Sequence, residues 1–169
     1  MVIRNTFTLE VTIDISNRIN VVSLKMVVNK KVVISSEEVN SKYIAGSIFQ
    51  RELGELDREC FAVLCLDTKG KPTCFSIVHT GTLNQTLLHP REIFKVAISS
   101  NANSIIVGHN HPSGDVSPSQ PDIENTKTIV SAGNLLGIQV LDHLIVSKHN
   151  TISLRSKNPK IFKEEIWKS

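Results

Sequence analysis

The sequence predicts a single α/β domain in which helices flank one mixed β-sheet. Three observations lead there. Apolar runs of strand length alternate with segments of helical spacing, 169 residues are enough for one ordinary domain with a sizeable core, and a composition of 40% hydrophobic and 21% charged residues is that of a globular chain.

Taken in order, Phe7, Leu9, Val11, Ile13 and Ile15 alternate with Thr8, Glu10, Thr12 and Asp14, the pattern of a half-buried strand. It is expected to extend the sheet, with pairing to a second copy across an exposed edge as the alternative. Asn20 to Val28 is also strand-like, and Asn29-Lys30-Lys31 supplies a polar turn into Val32-Val33-Ile34, which suggests a hairpin. Ser35-x-x-Glu38 is a capping-box pattern ahead of Val39, Tyr43, Ile44, Ile48, Phe49, Leu53 and Leu56, whose spacing suits an amphipathic helix. Strands are predicted over 60–67 and 73–79, joined by Thr68-Lys69-Gly70-Lys71-Pro72. Pro90 opens a helix whose apolar side is Ile93, Phe94, Val96, Ala97 and Ile98. A buried strand over Ser104 to Gly108, a helix from Ser119, and strands near 138–146 and 151–154 complete a βαβ-rich order. The lysine-rich tail, Arg155 to Ser169, places Ile161, Phe162, Ile166 and Trp167 at helical spacing and is expected to form a short docking helix.

A formal charge of +3 is mildly basic, but the lysines and arginines are scattered, so nucleic-acid binding gains little support. No apolar leader or membrane-length apolar run is read in the chain, and Cys60, Cys65 and Cys74 lie in strand-like runs as packed thiols. A cytosolic protein is expected.

The chemistry concentrates between His109 and Asp122. Continuing the buried strand through His111 points His109 and His111 to one side, because strand side chains repeat every two residues. Pro112, Gly114, Pro118 and Pro121, with Ser113, Ser117 and Ser119, spell a turn-rich loop that folds back towards them. Ile123, Thr126, Ile129, Val130, Gly133 and Leu136 then follow at helical spacing, so Asp122 falls in the first turn of a helix. Two imidazoles and a carboxylate make the three nitrogen and oxygen ligands of a hydrolytic metal site, with Asp122 as third ligand. Ser119-x-x-Asp122 also reads as a capping box, in which both side chains merely satisfy free N–H groups at the helix start. The signatures of helical zinc proteases and of zinc nucleobase deaminases are absent.

His-x-His, seven residues, Ser, two residues, Asp is the JAMM motif of JAB/MPN metallopeptidase domains, matched at His109, His111, Ser119 and Asp122. His109-Asn110-His111-Pro112-Ser113-Gly114-Asp115 resembles the bacterial RadC branch, as do Gly81-Thr82-Leu83, His89-Pro90-Arg91-Glu92 and Leu141-Asp142-His143-Leu144-Ile145-Val146. The resemblance divides the chain into a strand extension over 1–31, a RadC-like domain over 32–154 and a tail over 155–169. Full-length members usually carry an N-terminal helix-hairpin-helix region, which this chain is expected to lack.

The resemblance implies a cytidine-deaminase-like layered α/β fold and one zinc ion per chain. It also implies peptide or isopeptide cleavage by metal-activated water. Family pattern calls for an upstream glutamate as general base, matched by Glu59 ahead of the run Cys60 to Asp67, with Glu92 as the rival. Ser119 would donate a hydrogen bond to the oxyanion. Asp115 reads as a turn residue, His143 as a buried histidine or a support for the ligands, His89 as a helix cap, and His79 and His149 as incidental. Two alternatives stand beside the peptidase: a nucleic-acid enzyme or DNA-repair accessory, as the family's historical label suggests, and a binding module stabilised by its metal.

Overall fold

The computed structural model of the protein describes residues 19–34, 37–81 and 89–163. Its order is α1 (Lys42–Leu53), β1 (Cys60–Leu66), β2 (Pro72–Thr80), α2 (Pro90–Ser99), β3 (Ser104–Asn110), α3 (Gln120–Leu136), β4 (Gln139–Val146), β5 (Thr151–Ser153), α4 (Leu154–Lys157) and a 3-10 turn, Pro159–Phe162.

The five strands form one mixed sheet in the order β2-β1-β3-β4-β5. Only β3 and β4 run parallel, joined by the α3 crossover. Every residue of β1 and β3 is buried, which explains the unbroken apolar sequence of β1 and the run Ile105 to Val107 of β3: a central strand covered on both faces has no polar side to alternate with. The two faces are separated by parity. Phe61, Val63 and Cys65, with Ile105 and Val107, pack against Ile93, Phe94 and Ala97 of α2 and Ile129 and Val130 of α3. Cys60, Ala62, Leu64 and Leu66, with Ile106, pack against Ala45, Ile48, Phe49 and Leu53 of α1. The molecule is therefore three layers, with α1 below the sheet and α2 and α3 above it.

One glycine decides how closely α1 can approach. A Cβ at Gly108 would lie 2.6 Å from Cδ1 of Phe49 and 2.9 Å from the Leu144 carbonyl oxygen, so only glycine admits that ring.

The N-terminal region departs from expectation. The strand over Phe7 to Ile15 lies outside the described residues. Residues 19–34 form no strand or hairpin, and Val21 and Leu24 are 95% and 89% exposed. High β propensity makes a strand only where a neighbour supplies the ladder and a face to pack on. The first helix also begins later than Ser35-x-x-Glu38 suggested, since Ser41 is the cap and accepts from the Ile44 N–H at 3.3 Å. Val39 is instead buried ahead of the helix, its N–H donating to the Gly70 carbonyl at 2.9 Å. The helix α4, Leu154–Lys157, takes in only the first three residues of the tail, Ile161 and Phe162 lie in the 3-10 turn, and Ile166 and Trp167 lie outside the described residues.

Candidate metal centre

The site forms where β3 ends and α3 begins. His109 continues the parity of Ile105 and Val107, so its ring turns towards α3, stacked on Phe61 at 5.9 Å between centroids. His111 lies one residue beyond β3, yet its N–H still donates to the Val146 carbonyl at 2.9 Å. Extended geometry thus persists far enough to bring the two Nε2 atoms within 3.0 Å of each other.

Gly114, at φ +90, turns the loop back, and Ser119 starts α3. Here the metal and capping readings turn out to be compatible. The Ser119 N–H and hydroxyl both donate to Asp122 Oδ2, at 2.8 and 2.6 Å, and the Asp122 N–H donates to Ser119 Oγ at 3.3 Å, a complete capping box. Asp122 Oδ1 meanwhile lies 3.2 Å from His109 Nε2, and Oδ2 lies 3.8 Å from His111 Nε2. Burial pushes the Asp122 carboxyl up, but its bond and charge interaction with His109 and the bonds from Ser119 outweigh it and hold the group well below the usual carboxylate range.

The protons can be traced from the hydrogen bonds. Thr126 Oγ lies 2.5 Å from the Asp122 carbonyl, which can only accept, so the hydroxyl proton is committed there. His143 Nδ1, 2.6 Å from Thr126 Oγ, must then donate. With the imidazole kept neutral by burial first and by His109 second, His143 Nε2 accepts from His109 Nδ1 at 2.8 Å. His111 Nδ1 donates to the Asp115 carbonyl at 2.6 Å. Each ring thus donates through Nδ1 and turns its Nε2 towards the other ring's Nε2 and the Asp122 carboxylate, where neutral imidazoles would offer two nitrogen ligands.

That arrangement calls for a cation. Ligands held about 2.0–2.1 Å from a tetrahedral ion stand about 3.3 Å apart, and His109 Nε2 lies 3.0 Å from His111 Nε2 and 3.2 Å from Asp122 Oδ1, both close to that figure. Among the described residues His109, His111 and Asp122 are the group able to hold a metal ion. His109 is fully buried and His111 faces a cleft of about 330 Å³ lined by Glu59, Ser119, Asp122 and the loop between β3 and α3.

Glu59 stands just before β1 on this cleft. Glu92 is not among the lining residues; it sits in the first turn of α2, 2.6 Å from Lys95 and 3.4 Å from Arg91. The Asp115 carboxylate accepts from the Ser117 N–H at 2.9 Å, a local turn bond. Its backbone carbonyl, which no side-chain pattern can announce, orients His111. His143 contacts His109, and Thr126 was legible only as a helix position facing the core. His89 occupies the N-cap of α2 without a side-chain capping bond. Nε2 of His79 is buried with no partner among the described residues, and His149 is exposed.

A layered α/β domain whose strand end and helix start converge two imidazoles and a carboxylate that could hold a metal ion fits the JAB class of domain. The chain belongs to the family of the RadC-like JAB domain, whose model matches residues 25–159. It is 48% identical over 122 residues to a UPF0758 protein of Finegoldia magna, covering 72% of this chain and 55% of that one. A UPF0758 protein of Caldanaerobacter subterraneus is 47% identical over 111 residues, 66% of this chain and 48% of the relative. One from Staphylococcus haemolyticus is 44% identical over 117 residues, 69% and 51% of the two chains. The chain thus spans about half the length of the curated relatives it matches.

Proposed function

We propose that the domain is a zinc-dependent hydrolase that cleaves a peptide or isopeptide bond in a protein substrate. The observation that carries this reading is the pair of Nε2 atoms held 3.0 Å apart beside Asp122, at the wall of a cleft that also presents Glu59. Bound there, zinc supplies Lewis acidity and lowers the pKa of a water from about 15.7 towards about 7.

The chain's own residues supply the remainder. Glu59 accepts the proton of the attacking water at its carboxylate and returns it to the departing amide nitrogen. Ser119 lines the same cleft, and turning its O–H away from Asp122 Oδ2 offers a donor to the oxygen that gains charge. Oδ2 keeps the Ser119 N–H when this happens, so the carboxylate does not lose its place. Hydroxyls of Ser113 and Ser117 on the cleft suit the amide groups of an extended peptide. A cytoplasmic setting agrees with three free cysteines, two of them buried. Among the described residues no helix is long and apolar enough to cross a membrane.

The test is elemental analysis of the protein beside Asp122→Ala, followed by peptide and isopeptide cleavage assays with Glu59→Gln as control. Near one zinc per wild-type chain and little in Asp122→Ala is expected. Glu59→Gln should keep the metal and lose about 10²- to 10⁴-fold in rate. A zinc-loaded wild-type protein inactive on every amide substrate would refute the peptidase reading.

A further inference from the structure

We propose that Asn110 is the positioning residue for Glu59, a role that rests on the metal-hydrolase reading of the site. Glu59 stands one residue before β1. The β1–β3 pairing stops at Phe61 opposite His109, one rung short of where Cys60 and Asn110 would face each other.

The Asn110 side chain takes over from that rung. Fully buried, its Oδ1 accepts from the Cys60 N–H at 2.8 Å, and its Nδ2 donates to the carbonyls of Arg58 at 3.1 Å and Leu56 at 3.3 Å. The Arg58 carbonyl belongs to the peptide unit before the Glu59 Cα and the Cys60 N–H to the unit after it. One carboxamide therefore holds both peptide planes that flank Glu59 and so sets its φ and ψ. The Glu59 carbonyl is pinned from the other side by the Gly81 N–H at 2.8 Å.

The chemistry demands an amide. The segment needs one acceptor and two donors from a single buried side chain, which asparagine has; aspartate lacks the donors and leucine lacks all three groups. Strand alternation does the rest, since the residue between two ligands on one face must point to the other. Three consecutive positions thus deliver both imidazoles and orient the base.

The test uses the full chain loaded with cobalt(II) as a spectroscopic probe, in wild type, Glu59→Gln, Asn110→Leu and the double variant. All four should bind the ion. The Cys60 amide should exchange at least about tenfold faster in Asn110→Leu. The visible spectrum at fixed pH should shift in Asn110→Leu in the direction seen for Glu59→Gln, and the double variant should shift no further than Glu59→Gln alone.

An unaltered spectrum in a folded, loaded Asn110→Leu would reduce Asn110 to a structural role and overturn the inference. Additive shifts would do so too, by showing that it acts through His109 and His111. Wild-type protein that takes up no cobalt would refute the metal centre itself, and the inference with it. Should Asn110→Leu not fold, Asn110→Ala removes the same three bonds and is read by the same criteria.

Discussion

Asp122 divides its two oxygens between tasks, Oδ2 completing the cap of α3 and Oδ1 facing His109. Its folded carboxyl is held below the unfolded value of about 3.9. Such a group contributes stability that is present above the unfolded pKa and lost as pH falls through the lower folded one. Metal-free protein is therefore expected to lose stability below about pH 4, and thermal melts of Asp122→Asn across that range should show a flatter acid limb. Thr126 acts at two removes, its hydroxyl fixing the tautomer of His143 and, through it, that of His109. Thr126→Val keeps the shape and removes that instruction, so metal affinity should fall about 10- to 100-fold in a competition titration while the fold persists. The cluster of His109, His111 and Asp122 could be read in the sequence because their spacing on a strand and a helix start brings them together. Thr126 could not, because His143 is brought to it only by the crossover, nor could the Asp115 contact, because a backbone carbonyl makes it and no side-chain pattern announces one.

Among the elements, β1 and β3 were readable because burial on both faces demands unbroken apolar runs. The start of α1 was not, since Ser35 and Ser41 both offer a capping hydroxyl and the choice falls to Val39, which packs into the core only if the helix begins after it. Residues 20–28 have strand composition, and composition says nothing of whether a partner edge is offered. Gly108 is the point at which β3 yields to α1. Gly108→Ala should destabilise the domain by about 1–3 kcal/mol in denaturant titration, because both Phe49 and the Leu144 carbonyl lie in the way. The same displacement would be felt one residue later at His109.

At the scale of the whole molecule, the candidate metal ligands are the last residue but one of β3, the residue just beyond β3, and the third residue of α3. Binding there is coupled to folding, since the unfolded chain does not assemble the three ligands. A metal held at about 100 times its dissociation constant adds about 2.7 kcal/mol. Chelation should therefore lower the melting temperature of the loaded protein, and Asp122→Ala should be insensitive to it. The layered architecture itself was legible from the alternation of strand and helix periods, whereas the position of Glu59 depends on Asn110 reaching across from a distant part of the chain. The loop between β3 and α3 has one further property. Because His111 stands at one end of it and Asp122 at the other, an ion gripped by both closes that stretch into a small ring, a cross-link made and undone by metal supply. A protease offered the loop would find a tethered hoop in the charged protein and an open strap in the stripped one, so susceptibility to nicking between Pro112 and Pro118 becomes a gauge of how much metal the protein carries.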